Sequence, residues 1–165
     1  MREIADYPSD GVVFRDITPL LGDAQVFADA VGAIVDGFSG VAVDRVVGVE
    51  ARGFIFGAPV AYRMGAGFVP VRKSGKLPWA VVREEYALEY GSDKLEIHRD
   101  AIHPGERILI VDDVLATGGT AAATATLVET LGGVVAGFAF LLELDDLDGR
   151  SRLGDHTIKS LLHYG

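Results

Sequence analysis

The residues from Ile108 to Thr120 read Ile-Leu-Ile-Val-Asp-Asp-Val-Leu-Ala-Thr-Gly-Gly-Thr, and this stretch decides the fold. Four consecutive aliphatic residues followed by Asp112 and Asp113 are typical of a buried parallel strand that brings two carboxylates to the carboxyl edge of a sheet. Open α/β sheets bind their ligands at that edge. The sequence therefore predicts an α/β fold with a ligand site at the end of this strand.

The residues that follow Leu115 have the composition of a phosphate-binding loop. They supply two hydroxyls and two glycines just before an alanine-rich helical stretch, and they are Ala116, Thr117, Gly118, Gly119 and Thr120. Backbone N–H groups at such a helix N-terminus converge on an anion. Two carboxylates beside an anion site suit a ligand that carries hydroxyls as well as a phosphate, with a divalent cation nearby. A ribose phosphate has these groups.

The stretch from Asp112 to Thr120 resembles the signature of the phosphoribosyltransferases, in the form that adenine-specific members carry. The resemblance implies that Asp112 and Asp113 bind the ribose 2′- and 3′-hydroxyls of phosphoribosyl pyrophosphate, and that the loop binds its 5′-phosphate. Other interpretations of an acidic pair after a strand are a solvated strand end and a response-regulator receiver. A receiver carries its acidic pair at the first strand, and too few residues follow Asp113 for its remaining repeats.

The resemblance to the adenine branch covers nearly the whole chain. Its further segments are Tyr7-Pro8, Gly11 to Thr18, Glu50 to Pro59, Arg72 to Pro78 and Ala87 to Gly91. It implies that main-chain groups of Val13 and Arg15 read the edge of adenine while Phe14 and Val114 contact its faces. It also implies that Glu89 approaches the base and acts as the catalytic residue by managing its proton. A partly desolvated carboxylate suits that role.

Basic residues gather in one part of a chain whose net charge is −9. Six of the 15 lysines and arginines lie between positions 52 and 83, namely Arg52, Arg63, Arg72, Lys73, Lys76 and Arg83. Arg52 and the 72–76 group follow predicted strands, at the same edge as the acidic pair. We predict that Arg52, Arg72, Lys73 and Lys76 bind a pyrophosphate. The alternative is a solvated charged loop.

The segment from Glu50 to Phe54 resembles the pyrophosphate loop of the family. In that loop an unusual cis peptide presents a backbone N–H to the leaving group. A non-proline cis bond costs about 3 kcal/mol, so a tight loop that faces a ligand is the place to expect one. We predict it at the bond between Glu50 and Ala51.

Composition limits the class of protein further. The acidic balance of the 165 residues disfavours nucleic-acid binding, and the absence of cysteine excludes disulfides and thiolate metal sites. The first residues carry no hydrophobic signal region, and the longest apolar run, from Leu131 to Leu142, is shorter than the roughly 20 residues of a membrane span. We expect a cytoplasmic protein without a membrane partner. The histidines show no ligand spacing, and the resemblance implies Mg²⁺ held mainly by substrate oxygens.

Hydrophobic periodicity predicts a single domain with a mostly parallel sheet flanked by helices and a small hood. The N-terminal arm, about 1–22, forms the hood. Residues 72–103 are an excursion with some short antiparallel pairing, which we expect to be a mobile lid. The other predicted elements are a helix from Asp23, strand Arg45 to Val49, helix Gly53 to Met64, strand Phe68 to Val71, helix Thr120 to Leu131, strand Val134 to Leu142, a short helix or turn from Asp145 to Leu153, and edge strand Ile158 to Tyr164.

The resemblance implies transfer of a phosphoribosyl group from phosphoribosyl pyrophosphate to adenine, which forms AMP and pyrophosphate in purine salvage. Two alternatives remain: a transferase for another base, and a regulator that binds phosphoribosyl pyrophosphate without catalysis. The resemblance also implies a homodimer. We interpret the small-residue spacing Gly53, Gly57 and Ala61 on one predicted helix as a face that permits close approach of a second helix.

Overall fold

The structure is a computed structural model, and it describes residues 1–7, 9–87 and 92–165. In chain order the elements are β1 (Arg2–Ile4), β2 (Phe14–Asp16), α1 (Thr18–Gly22), α2 (Ala24–Gly37), β3 (Arg45–Val49), α3 (Gly53–Met64), β4 (Gly67–Lys73), β5 (Val81–Ala87), β6 (Ser92–His98), β7 (Arg107–Leu115), α4 (Gly119–Thr130), β8 (Val134–Leu144) and β9 (Ile158–Tyr164). Two short 3-10 turns, Asp145–Leu147 and Gly149–Leu153, lie between β8 and β9.

Seven strands form one sheet in the order β5-β6-β4-β3-β7-β8-β9. The five strands from β4 to β9 in this order are parallel, while β5 and β6 run antiparallel to their neighbours. Strands β1 and β2 pair separately and form the small hood. The predicted fold class, a mostly parallel sheet flanked by helices with a hood, is confirmed.

Strand β7 lies at the centre of the sheet, and its apolar run is buried on both faces. Ile108 and Ile110 pack into one hydrophobic cluster, while Leu109 and Val111 pack into the cluster on the other face. All four side chains are 0% exposed. A parallel strand covered by helices on both sides needs such a continuous apolar sequence. The strand then continues through Asp112 and Asp113, which are therefore fixed by the core.

Local signals set the start of α2 and the end of α3, whereas the short helix α1 within the N-terminal arm was not predicted. Asp23 caps α2, because its carboxylate accepts hydrogen bonds from the backbone N–H groups of Gln25 and Val26 at 3.0 Å each. Helix α3 ends at Gly65, whose φ of 67° a side chain would disfavour. Among the described helices, none combines the length and the apolar character needed to cross a membrane.

The small residues of α3 pack against the sheet of the same chain. A Cβ on Gly53 would lie 2.9 Å from the carbonyl oxygen of Val111, and one on Gly57 would lie 3.0 Å from the ring of Phe68. Ala61 is 2% exposed within the core. The interpretation of this spacing as a face for a second copy is therefore wrong, because the spacing lets α3 approach its own sheet.

The antiparallel pairing within residues 72–103 is longer than the sequence predicts. Strands β5 and β6 pair over their full length of 7 residues each, and β6 also joins the edge of β4. Leu95 and Ile97 of β6 are at most 1% exposed. The expectation of only short pairing is wrong, because a few buried apolar residues anchor this charged segment to the core.

Candidate active site

A cavity of about 600 Å³ lies at the carboxyl edge of the parallel strands, and a second one of about 80 Å³ adjoins it. Predicted site residues in the wall of the larger cavity are Val13, Phe14, Arg15, Arg52, Lys73, Asp112, Asp113, Val114, Ala116 and Thr120. The smaller cavity lies against the loop between β7 and α4 and adds Thr117, Gly118 and Gly119. The structure thus brings residues from distant parts of the chain together around two adjoining cavities.

The two aspartates at the end of β7 have different surroundings. Asp113 is 5% exposed and forms an ion pair with the Nε of Arg52. Asp112 lines both cavities, and its Oδ1 accepts a hydrogen bond from the backbone N–H of Asp113 at 2.8 Å. Burial raises the pKa of Asp112 well above its ordinary value, and the neighbouring charge of Asp113 adds to the increase. Hydrogen bonds from ligand hydroxyls would stabilise its carboxylate.

The loop after β3 carries the cis peptide bond between Glu50 and Ala51, at the predicted position. The Glu50 carboxylate accepts hydrogen bonds from the backbone N–H of Lys73 at 2.9 Å, from Arg72 Nε at 3.3 Å, and from the Lys76 ammonium. Burial alone would raise the pKa of Glu50, but these hydrogen bonds outweigh burial and lower it below its ordinary value. Glu50 therefore ties the loop after β3 to the loop after β4.

The predicted basic cluster is divided in the structure. Arg52 and Lys73 line the larger cavity, and Lys73 Nζ lies 2.8 Å from Asp93 Oδ2. Arg72 and Lys76 contact Glu50 and line neither cavity. Arg63 and Arg83 also lie outside both walls. Arg52 and Lys73 are therefore the members of the predicted basic cluster that an anion in the larger cavity would contact.

The N-terminal segment forms an apolar wall of the larger cavity. The ring of Phe14 packs edge-on against Tyr7 with 5.2 Å between ring centroids, and the Arg52 guanidinium carbon lies 6.0 Å from the Phe14 centroid. The side chain of Arg15 is engaged elsewhere, since it pairs with Glu3 and stacks 4.3 Å from the ring centroid of Tyr164. The Phe14 ring and the main chain of the segment therefore line the cavity where a flat ligand could contact them.

Sequence reasoning missed several residues of the walls. Tyr86 and Asp93 come from β5 and β6, and the Thr120 hydroxyl donates a hydrogen bond to the Tyr86 oxygen at 3.3 Å. Gly149 packs against the loop between β7 and α4. The Asp148-Gly149 pair indicates a turn at the start of Gly149–Leu153, but it does not indicate the contact of that turn with the loop. The prediction for Glu89 concerns a residue outside those that the structure describes.

Sequence comparisons with known proteins identify the family to which this site belongs. The family model of the phosphoribosyl transferase domain matches residues 24–161. An adenine phosphoribosyltransferase from Cyanothece sp. is 56% identical over 164 residues, which cover 99% of this chain and 96% of that relative. The chain belongs to the adenine phosphoribosyltransferases.

Solved structures of adenine phosphoribosyltransferases have the same fold. The structure from Thermoanaerobacter pseudethanolicus has a TM-score of 0.96 and 53% identity, covering 99% of this chain and 95% of that one. The enzyme from Saccharomyces cerevisiae, in complex with D-2,5-dideoxy-2,5-imino-altritol 1,6-bisphosphate and adenine, has a TM-score of 0.92 and 42% identity, covering 98% and 93%. The family identified from the sequence is therefore confirmed.

Proposed function

We propose that this chain transfers the 5-phosphoribosyl group from phosphoribosyl pyrophosphate to adenine, forming AMP and pyrophosphate in purine salvage. The observation that carries the proposal is that the two cavities adjoin each other. Their shared wall consists of Asp112, Val114, Ala116 and Thr120. A phosphate in the smaller cavity can therefore belong to the same molecule as a base beside Phe14 in the larger one. The similar adenine phosphoribosyltransferases support this assignment of the base.

The reaction joins adenine N9 to C1′ of the ribose as the bond from C1′ to the pyrophosphate oxygen breaks. The ribose ring passes through an oxocarbenium-like state. Asp112 and Asp113 accept hydrogen bonds from the 2′- and 3′-hydroxyls, and their negative charge favours the positive charge that develops on the ring. The loop from Ala116 to Thr120 binds the 5′-phosphate with backbone N–H groups and hydroxyls. Much of the rate enhancement comes from positioning.

A bound diphosphate would compete with two aspartates for the cationic side chains of Arg52 and Lys73. Arg52 is paired with Asp113, and Lys73 with Asp93, in the structure described here. A diphosphate carries more negative charge than one carboxylate, so it can take both cations and free Asp113 for the ribose. Arg72 and Lys76 can also bind the diphosphate if they release the carboxylate of Glu50.

Mg²⁺ is the cofactor that this chemistry requires, and the residues present fit an ion held mainly by substrate oxygens. Glu50 and Asp113 are already paired with cations, whereas Asp112 faces both cavities without one of its own. Asp93 in the same wall is paired with Lys73, so among the described carboxylates that line the cavities Asp112 is the one that can help to hold the ion beside the ribose. When bound, Mg²⁺ neutralises the charge of the leaving diphosphate.

Residues 72–103 are proposed to close over the site once substrates bind, so that water does not hydrolyse the ring at the oxocarbenium-like stage. The buried Leu95 and Ile97 anchor β6 to the core, so β6 stays in place during closure. Glu89 is proposed to approach adenine on closure and manage its proton. This role rests on the resemblance between sequences.

A homodimer is the proposed assembly, and we place it in the cytoplasm, where phosphorylated metabolites are made and retained. The support for a dimer is that α3 and β4 carry exposed large apolar side chains. Ile55 and Tyr62 lie 7 positions apart on one face of α3 and are 39% and 87% exposed, and Phe68 of β4 is 37% exposed. Sedimentation should give a dimer at micromolar concentration and a monomer for Tyr62→Asp. A wild-type monomer would overturn this assembly.

The reaction is tested by turnover with a panel of nucleobases in the presence of phosphoribosyl pyrophosphate and Mg²⁺. Adenine should give AMP, while hypoxanthine, guanine, xanthine and orotate should give at least about a hundredfold less product. A double variant, Asp112→Asn with Asp113→Asn, is the matched control for a contaminating activity. Preference for another base would identify a sister transferase. Binding of phosphoribosyl pyrophosphate without turnover would identify a regulator.

A further inference from the structure

The smaller cavity lacks a cation in its wall. The residues that line it are Asp112, Val114, Leu115, Ala116, Thr117, Gly118, Gly119, Thr120 and Ala121, and none of these is basic. A phosphate monoester carries close to two negative charges at neutral pH, and proteins usually pair such groups with arginine or lysine. Backbone N–H groups and hydroxyls supply only partial charges. A cationic side chain from a neighbouring element would therefore stabilise a phosphate bound in this cavity.

Arg152 is in a position to supply that cation. Its Nη1 atom lies 3.8 Å from the position that a Cβ would take on Gly119. Gly119 is the first residue of α4 and part of the loop to which we assign the 5′-phosphate. We propose that Arg152 binds the 5′-phosphate of phosphoribosyl pyrophosphate and of AMP. The inference deepens the proposed function and rests on it.

The backbone around Arg152 is fixed on both sides. Arg150 forms a bidentate ion pair with Glu143 of β8, with Nε–Oε1 and Nη2–Oε2 distances of 2.6 and 2.7 Å. The Glu143 side chain is only 5% exposed, and Ser160 also donates a hydrogen bond to it at 2.7 Å. On the other side, Leu153 is 3% exposed in the core. The backbone of the two residues between these anchors, Ser151 and Arg152, is therefore held beside the loop.

The second 3-10 turn, Gly149–Leu153, packs directly against the loop between β7 and α4. A Cβ on Gly149 would lie 2.2 Å from the carbonyl oxygen of Ala116 and 3.1 Å from the nitrogen of Gly118. The start of the turn thus touches the loop, three residues before Arg152. A guanidinium placed in this way can reach a phosphate above the loop while its backbone stays in position.

Arg152 differs from the cations of the larger cavity in its present contacts. Arg52 and Lys73 each pair with an aspartate. Within residues 1–7, 9–87 and 92–165, the side chain of Arg152 takes part in none of the ion pairs or hydrogen bonds, and it is exposed. Binding of a phosphate by Arg152 would therefore break no existing pair among those residues. This makes a guanidinium contact to phosphate a net gain in affinity.

The test compares ligands that differ only in the phosphate. Affinities of AMP and adenosine are measured by calorimetry or by inhibition, for the wild type and for Arg152→Gln, Arg152→Lys and Arg107→Gln. Arg107 is exposed at the start of β7, at the opposite edge of the sheet, and its substitution removes the same charge. Arg152→Gln should weaken AMP binding about tenfold and leave adenosine binding unchanged. Arg152→Lys should restore part of the loss, and Arg107→Gln should change neither affinity.

Two results would overturn the role of Arg152. One is an unchanged affinity for AMP in Arg152→Gln. The other is an equal loss for AMP and adenosine, which would mean that the side chain supports the site without contacting the phosphate. Failure of the proposed function has a different signature, because the wild-type protein would then form no AMP from adenine and phosphoribosyl pyrophosphate, whatever the effect of Arg152→Gln on binding.

Discussion

Gly118 and Gly149 lie in direct backbone contact, since a Cβ on Gly118 would lie 2.4 Å from the carbonyl oxygen of Gly149. Gly118 also has a φ of 79°, which residues with a side chain rarely adopt. The phosphate loop between β7 and α4 is therefore shaped by a turn that comes about thirty residues later in the chain. Neither glycine leaves room for a methyl group without a shift of backbone.

Gly149→Ala is expected to disturb the phosphate loop. The new methyl would meet the carbonyl oxygen of Ala116 at 2.2 Å, so backbone must move. Overpacking of this kind costs about 2 kcal/mol. We expect a lower Tm and a KM for phosphoribosyl pyrophosphate that rises about tenfold, while the KM for adenine changes less than about twofold. Gly22→Ala is the matched control, because nothing lies within 4 Å of its Cβ position. Equal behaviour of the two variants would contradict this packing argument.

Asp112→Asn is expected to stabilise the protein without ligand while lowering its activity. Burial and the adjacent charge of Asp113 raise the pKa of Asp112, so its carboxylate form destabilises the fold at neutral pH. Removing about 1 kcal/mol of this destabilisation would raise the Tm by roughly 3 °C. The exposed Asp155→Asn serves as the control. The loss of a ribose contact should lower kcat/KM by at least about tenfold.

The pH dependence of this stabilisation has a definite sign. A carboxyl group whose pKa is raised by folding costs stability above its ordinary pKa, and the cost disappears as pH falls and the group is protonated. The difference in Tm between Asp112→Asn and the wild type should therefore be largest at neutral pH and should close as pH falls through the raised pKa. A difference that widens in acid would show that the raised pKa is not its cause. Thermal unfolding of both proteins across a pH series measures this difference in Tm.

Phe14→Ala is expected to weaken adenine binding selectively. Base stacking on an aromatic ring contributes about 1–3 kcal/mol in nucleic-acid complexes, and Phe14 is an aromatic side chain in the wall of the larger cavity. The KM for adenine should rise about tenfold or more, and that for phosphoribosyl pyrophosphate should stay within about twofold. Val26→Ala removes an exposed apolar side chain on α2, away from the cavity, and should change neither constant. A selective loss for phosphoribosyl pyrophosphate would mean that Phe14 does not contact the base.

The proposed lid is tested by hydrogen exchange together with Glu89→Gln. Exchange in peptides that span residues 81–98 should slow when AMP binds, because closure protects the hairpin. Glu89→Gln should lower kcat more than it weakens binding of phosphoribosyl pyrophosphate. Glu84→Gln, on the same segment, should have little effect. Equal protection with and without AMP would remove the argument for a lid and for the catalytic role of Glu89.

The central strand and the acidic pair could be predicted because short stretches of sequence encode them. The apolar run from Ile108 to Val111 indicates burial on both faces, and the following carboxylates mark the end of the run. The cap at Asp23 and the helix end at Gly65 depend equally on local chemistry. Elements of this kind are specified by residues that are neighbours in the chain.

Contacts between distant segments could not be predicted in this way. Nothing near Gly149 in the sequence indicates that it lies against Gly118, and nothing near Asp93 indicates its ion pair with Lys73. The spacing of small residues on α3 was misassigned for the same reason, because periodicity identifies a face but not the surface that the face meets. Charged neighbours also obscured the buried Leu95, so the length of the hairpin was underestimated.

The most direct measurement is a crystal structure of the protein with AMP bound. The account predicts that the 5′-phosphate lies on the residues from Ala116 to Thr120, the ribose hydroxyls on Asp112 and Asp113, and adenine against Phe14. When pyrophosphate is bound together with AMP, Asp113 should no longer pair with Arg52. A structure in which AMP places its phosphate outside this loop, or its base away from Phe14, would contradict the account.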